Sequence, residues 1–202
     1  VGILAVEWGE TFDGWGLKER ILAAYFQSVT ARTAGFNTVK IATLSNASLF
    51  LLICLMFIGA SPGGTGGGVK TSTFAIAIGF LIANLRGRRS VDMFKRKVPR
   101  EVTSKAFSIL IISILLIALN GFLLLWVERG HKPLEVIFEL FSAFGTVGLS
   151  MGITPHLSTL GKVIIMVTMF TGRIGPLTLA LALGERRRGG EFEYPGEEVM
   201  VG

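Results

Sequence analysis

Two short segments share the pattern Thr-x-Gly-x-x, which could strip the water from a small cation. The first filter loop, as we call it, is Thr33, Ala34, Gly35, Phe36 and Asn37, and the second filter loop is Thr146, Val147, Gly148, Leu149 and Ser150. An ion that sheds water needs replacement oxygens, and successive backbone carbonyls facing one axis supply them without a fixed charge. Glycine permits the positive φ that turns a carbonyl toward such an axis. We expect the closing residues, Asn37 and Ser150, to bond neighbouring backbone rather than the ion.

The two filter loops belong to an internal repeat. A shift of 113 residues places Thr33 on Thr146, and it also places Ser45 on Ser158. Each copy reads as a short helix, a filter loop and a broken apolar helix. Irregular backbone at membrane depth is tolerated only where protein buries it or where it lines a water-filled cavity. We therefore predict two re-entrant pore helices, each followed by a filter loop that lines a pore.

A glycine-rich stretch interrupts one apolar run and resembles a phosphate-binding loop. It reads GASPGGTGGGVKTST, and Val69 separates its last glycine from Lys70. A nucleotide P-loop needs glycine directly before lysine, after a buried strand, so the sequence argues against ATP binding. Pro62 instead ends the preceding helix, because proline cannot donate a backbone hydrogen bond. We predict a flexible plug below the filter loops, formed by Gly63, Gly64, Thr65, Gly66, Gly67, Gly68 and Lys70; the alternative is a purely structural kink.

An arginine interrupts a later apolar run. Arg173 aligns with Ala60, beside the start of the glycine-rich stretch. A cation at membrane depth costs on the order of 3 kcal/mol even on the mildest insertion scale, so it should face a pore or a partner. The alternative is that its side chain reaches the inner interface. We predict that Arg173 donates to carbonyls of the Gly63–Gly68 loop and adds an electrostatic barrier; Lys70 either assists it or reaches the inner surface.

Composition indicates a membrane protein. Half of the 202 residues are hydrophobic and 17% are charged, which is far too apolar for an ordinary soluble domain. The clearest span is 106–127, whose length matches the roughly 20 residues that cross the hydrocarbon core. Two broken apolar runs cover 45–85 and 157–183. We predict an all-α membrane protein built of tandem repeats, each a membrane helix, a pore helix and a second membrane helix, as in potassium channels.

Positive charge predicts the orientation and excludes one class of partner. The formal net charge is +6, and basic residues cluster in the loop 86–100 and in the tail 184–202, next to apolar runs. The positive-inside bias places both segments in the cytoplasm. Because the basic residues lack aromatic interleaving, we expect no nucleic-acid binding.

Several motifs together resemble a known family. The segments YFQSVTARTAGFNT, FELFSAFGTVGLS, MFTGRIGPLTLALAL and YPGEEVMVG are similar to those of Ktr-type potassium-translocating subunits in the Trk/Ktr/HKT superfamily of cation transporters. Members carry four repeats around one pore, and the likeness covers essentially this whole chain as the last two. It therefore implies a third repeat over 1–90, which lacks most of its outer helix, and a fourth over 91–202. The missing N-terminal half of the same protein would supply the remaining repeats.

The resemblance also divides the fourth repeat and assigns roles. It implies an outer helix at 106–127, a pore helix at 134–145, the second filter loop at 146–150 and an inner helix at 157–183. The segment 61–72 resembles the family's intramembrane gating loop, and an arginine at the place of Arg173 is associated with that gate.

The implied activity is uptake of K⁺ by channel-like translocation, with K⁺ as the transported ion, no organic cofactor on this chain and no enzymatic chemistry. Such subunits are multi-pass proteins of the cell membrane, surrounded by membrane lipid. They pair as homodimers on a cytoplasmic ring of RCK-type subunits that binds ATP or ADP. The alternatives are a Trk-type potassium/sodium transporter subunit and a non-conducting membrane scaffold.

Overall fold

The computed structural model describes residues 1–87, 91–93 and 96–175. The helices in this part of the chain are α1 (Gly2–Val6), α2 (Leu17–Thr30), α3 (Asn46–Phe57), α4 (Thr71–Leu85), α5 (Arg100–Val127), α6 (Pro133–Gly145) and α7 (Thr159–Ile174). Strands β1 (Val91–Met93) and β2 (Arg96–Val98) pair in an antiparallel hairpin within the predicted cytoplasmic loop. The fold is therefore helical as expected, apart from this hairpin, which the sequence analysis did not predict. The end of the predicted inner helix and the tail 184–202 lie outside the described residues.

The described helices follow the predicted repeat. A 3-10 helix covers Ile41–Thr43 in the first copy and Thr154–His156 in the second, again 113 residues apart. The serine N-caps of α3 and α7, Ser45 and Ser158, keep the same offset. Each of them accepts a hydrogen bond from the backbone N–H three residues later, which caps the helix at the same place in both copies.

Helix α5 has the length and the surface of a membrane span. Its 28 residues reach about 42 Å at 1.5 Å per residue, more than the hydrocarbon core requires. Among the described residues it is the one helix long and apolar enough to cross a membrane, and α3 and α4 are shorter apolar helices. It begins at Arg100, six residues before the predicted span, directly after Pro99, whose fixed φ suits a helix start. The side chains that it leaves exposed are large and apolar, which suits contact with lipid: Ile111, Ile114, Leu115, Leu119, Phe122 and Trp126.

The second pore helix, α6, lies at the centre of the packing. It contacts α3, α5 and α7, and Val136, Phe138 and Phe144 on it are fully buried. Helix α2, its counterpart in the first repeat, instead exposes much of its apolar surface. The large hydrophobic side chains exposed on α2 are Leu17, Ile21, Leu22, Tyr25, Phe26 and Val29.

Two buried glutamates join the end of an outer helix to the start of an inner helix. Glu7 follows α1 and Glu128 follows α5, and their side chains are 0% and 7% exposed. Glu7 Oε1 accepts from the N–H and the hydroxyl of Ser45, at 3.0 and 2.6 Å. Glu128 Oε1 accepts from the same two groups of Ser158, at 2.9 and 2.6 Å. We call these contacts the glutamate–serine clamps; they hold both inner helices at the same end.

Replacing Glu128 by Ala should destabilise the protein. The substitution leaves the N–H and the hydroxyl of Ser158 without their acceptor in a buried place, which costs about 2 kcal/mol of unfolding free energy. The thermal midpoint in detergent would measure the loss. The matched control is Glu101→Ala, which removes an exposed acid from the first turn of the same helix α5. Equal midpoints for the two variants would contradict a stabilising clamp.

Candidate functional site

The second filter loop leaves the end of α6 with two residues in the left-handed region. Thr146 has φ 50° and Gly148 has φ 90°. The N–H of Thr146 donates to the carbonyl of Ala143 at 3.0 Å, and the N–H of Val147 donates to that of Ser142 at 2.9 Å. These bonds close the helix and direct the chain into the loop.

The first filter loop has the same backbone pattern but different side-chain supports. Thr33 has φ 74° and Gly35 has φ 75°, which matches the spacing in the second loop. The hydroxyl of Thr30 donates to the carbonyl of Phe36. The side-chain amide of Asn37 donates to the carbonyl of Val39 at 3.2 Å. Asn37 therefore bonds neighbouring backbone, as the sequence predicts.

Positive φ at alternate residues changes what the loop backbone presents. In an extended strand, successive carbonyls point to opposite sides. A left-handed residue at every second position turns these carbonyls toward one side, which is the arrangement that a dehydrated cation needs. Within the described residues no group of three or more His, Cys, Asp or Glu side chains could hold a metal ion. Carbonyl oxygens of the filter loops are therefore the candidate ligands.

The two filter loops lie against each other. A Cβ on Gly35 would come within 2.6 Å of the carbonyl oxygen of Val147 and 3.5 Å of the Cα of Gly148. A side chain at position 35 would thus force the loops apart. Val147 and Leu149 are 3% and 2% exposed, because they pack into the core of the first repeat.

The glycine-rich loop between α3 and α4 passes against the first residue of both filter loops. The N–H of Gly67 donates to the hydroxyl oxygen of Thr146 at 2.9 Å. A Cβ on Gly67 would come within 2.8 Å of the side chain of Thr146, and one on Gly66 within 2.8 Å of the side chain of Thr33. The glycines at these two positions are therefore required by close approach and not only by flexibility.

Backbone hydrogen bonds tie this loop to both inner helices. The N–H of Gly59 donates to the carbonyl of Val69 at 2.8 Å, and the N–H of Val69 donates to that of Phe57 at 3.1 Å. On the other side, the N–H of Gly68 donates to the carbonyl of Gly172 on α7 at 3.2 Å. The loop therefore spans the gap between the inner helices of the two repeats, directly below the filter loops.

Lys70 makes the contact to the loop that the sequence assigns to Arg173. Its ammonium donates to the carbonyls of Gly64 and Gly66, at 3.0 and 2.7 Å. Arg173 lies next to Gly172 in the last turn of α7, and its side chain is exposed. Over residues 1–87, 91–93 and 96–175, Arg173 makes no hydrogen bond to the loop, so its expected bonds to these carbonyls are not seen there. Its role at the gate stays a prediction.

A buried acid supports the second filter loop from behind. Glu139 on α6 is 6% exposed. One of its carboxylate oxygens accepts from the hydroxyl of Ser150 and from the N–H of Met151, and the other accepts from the hydroxyl of Thr154. Ser150 therefore bonds a side chain of the pore helix, beyond the neighbouring backbone that the sequence predicts, although its oxygen also accepts from the N–H of Gly152.

Sequence reasoning noticed Glu139 in the pore helix but left its direction open, and it missed both glutamate–serine clamps. An acid at the end of an apolar span is an ordinary interfacial residue by pattern. The informative signal would have been that such an acid ends the outer helix before each pore helix.

The chain matches known proteins over nearly all of its length. A family model described as TrkH, cation transport protein, matches residues 10–186. The chain is 40% identical over 202 residues to the Ktr system potassium uptake protein D of Bacillus subtilis, covering 100% of this chain and 45% of that protein. It is 44% identical over 181 residues to the Ktr system potassium uptake protein B of Vibrio alginolyticus, covering 90% of this chain and 39% of that one. The chain thus spans less than half the length of these relatives.

A solved structure has the same fold. The crystal structure of the potassium transporter TrkH from Vibrio parahaemolyticus superposes with a TM-score of 0.75 at 20% sequence identity, covering 90% of this chain and 40% of that one. This likeness supports the fold, with its channel-like repeats in a membrane protein. The family match and the identities to relatives carry the assignment: the chain belongs to the TrkH family of cation transport proteins, which are transporters and not enzymes.

Proposed function

We propose that this chain is the C-terminal half of a potassium-uptake subunit that works as a gated, channel-like pore. A K⁺ ion enters from outside and loses its water to carbonyls of the filter loops. It passes inward when the glycine-rich loop moves aside. The observation that carries the proposal is the contact of Gly66 and Gly67 with Thr33 and Thr146, the first residues of the two filter loops.

Differences in burial between the repeats support a larger pore. In the second filter loop, Val147 and Leu149 are buried against the first repeat. Their counterparts in the first filter loop, Ala34 and Phe36, are exposed, with Phe36 at 73%. If each repeat packs on the one before it, the exposed face of α2 and this loop await a preceding repeat. The N-terminal half of the same protein would supply that repeat and the rest of the filter.

The glycine-rich loop is suited to act as the gate. It lies below the filter loops, where Lys70 binds two of its carbonyls and the carbonyl of Gly172 accepts from one of its N–H groups. Few bonds and no bulky side chains allow the loop to leave without repacking the core. Arg173, on the last turn of α7, would add a positive barrier on the inner side, as the sequence predicts.

The surroundings of the pore complete the proposal. The apolar face of α5 contacts lipid in the cell membrane, and the loop 86–100 and the tail 184–202 face the cytoplasm. The names of the relatives describe subunits of a Ktr system. We therefore propose a homodimer of full-length subunits that docks on a cytoplasmic RCK-type ring that binds ATP or ADP.

Potassium flux in liposomes tests the proposed function. We expect K⁺-dependent flux from the chain joined to its N-terminal half and none from these 202 residues alone, because half of the filter walls would be missing. The cytoplasmic ring is added in a parallel series. Flux from the short chain would mean that two copies build the pore, and no flux from the long chain with the ring present would refute the function.

A serine in place of Gly148 should weaken the selection of K⁺ over Na⁺ by about tenfold, or about 1.4 kcal/mol. Gly148 has φ 90°, which side chains rarely adopt, so the substitution turns a filter carbonyl. Competition between Rb⁺ and Na⁺ in full-length protein measures the effect, and Gly35→Ser should act in the same direction. Gly152→Ser is the control, since Gly152 has φ 99°, has open space for 4 Å around the place that a Cβ would take and lies outside the filter loop. Equal competition in the Gly148 and Gly152 variants would remove this loop from the filter.

Removing the ammonium of Lys70 should raise basal flux. Lys70→Met frees the carbonyls of Gly64 and Gly66, and losing two charged hydrogen bonds corresponds to about a tenfold higher open fraction. Deletion of 64–68 should raise flux further, and Arg173→Ala should act in the same direction. The control is Lys162→Met, because Lys162 also donates to a backbone carbonyl but lies on an exposed surface far along the chain.

Basal ⁸⁶Rb⁺ flux in the absence of the ring is the readout. A deletion variant with unchanged flux would reduce the loop to a structural kink. An Arg173 variant with lower flux than wild type would break the proposed partnership between that side chain and the loop.

A further inference from the structure

The carboxylate of Glu139 is bound, within the described part of the chain, by donors from the segment that follows the second filter loop. The hydroxyl of Ser150 and the N–H of Met151, at 3.1 Å, donate to Oε1. The hydroxyl of Thr154 donates to Oε2 at 3.0 Å, and it also lies 2.9 Å from the hydroxyl of Ser150. The acid thus holds both ends of the turn by which the chain leaves the filter.

These contacts distinguish an anchor from an ion ligand. A carboxylate that binds a cation directs its lone pairs at the ion, whereas here both oxygens of Glu139 accept hydrogen bonds from protein groups. The described partners are a backbone N–H and two hydroxyls, all neutral. Burial of the charge is unfavourable, and three donors to one carboxylate offset that cost. Glutamine would fit less well, because its NH₂ would meet one of these donors.

The anchor is present in only one of the two repeats of this chain. The residue that aligns with Glu139 is Phe26, which is 36% exposed on α2. The first filter loop is held instead by the hydroxyl of Thr30 and by the side chain of Asn37. The two loops therefore share a backbone pattern but have different supports, and only the second is fixed by a buried negative charge.

We propose that Glu139 is a positioning residue for ion selection, which fixes the outer end of the second filter loop through Ser150 and Met151. Held at this end by Glu139 and at the other by the close of α6, the loop keeps the spacing of its carbonyls. Loss of the anchor lets the loop widen and admit the smaller, more strongly hydrated Na⁺. This inference rests on the proposed function, since it concerns the same filter.

The experiment measures ion selection in the full-length protein with the cytoplasmic ring. We expect Glu139→Gln to lower the ratio of Rb⁺ to Na⁺ uptake by about tenfold, the scale of a charged hydrogen bond. Ser150→Ala should shift the ratio in the same direction, and the double variant should not add to the larger single effect. Glu139→Asp should restore part of the ratio, since it keeps the charge.

Glu135→Gln is the matched control, because it removes a charge one turn earlier on α6, where the acid caps the helix through the N–H of Lys132. An equal change in both variants would mean that the charge acts at a distance, and would overturn the anchor. A fall in uptake of both ions with an unchanged ratio would reduce Glu139 to a structural role and also overturn it. K⁺-induced thermal stabilisation of the wild type separates the two proposals: a wild type that neither binds nor transports K⁺ refutes the function, whereas a selective wild type with an equally selective Glu139→Gln refutes only the anchor.

Discussion

The structure depends on one constraint: backbone that leaves a helix inside a membrane must find its hydrogen-bond partners within the protein. The glycine-rich loop meets this constraint in each direction. It bonds the end of α3 through Val69, the end of α7 through Gly172 and the second filter loop through Thr146. Lys70 then binds two of the remaining carbonyls. A loop satisfied in this way is stable at membrane depth, yet each of its bonds is local and separate from the core.

The same constraint explains the unequal surroundings of the two pore helices. Helix α6 is enclosed by α3, α5 and α7, and the loop that follows it is fully supported. Helix α2 exposes its apolar side chains, and Phe36 in its loop is 73% exposed. A membrane-inserted filter cannot leave such a face to lipid and still enclose an aqueous path. The half-pore therefore has one finished wall and one that needs a neighbour.

Much of this arrangement could be predicted from the sequence, because repeat offsets and glycine patterns are written in the chain itself. The shift of 113 residues locates both filter loops and the starts of α3 and α7. Contacts between distant segments could not be predicted in the same way. Sequence favoured Arg173 as the donor to the loop, whereas the structure gives the carbonyls of Gly64 and Gly66 to Lys70, which is only six and four residues away. Short range made that contact easy to form and, by pattern, easy to overlook.

The glutamate–serine clamps show where this fold tolerates changes in length. Glu7 and Ser45 are 38 residues apart, whereas Glu128 and Ser158 are 30 apart, although the clamps have the same geometry. Since the filter loops and the inner helices keep their offset, the extra residues lie before the first filter loop, most of them in the segment 8–16. Evolution has thus already lengthened this surface connection without disturbing the pore. The corresponding stretch between Glu128 and Pro133 is therefore a natural place to insert an epitope or a fluorophore that reports on the outer surface of the transporter.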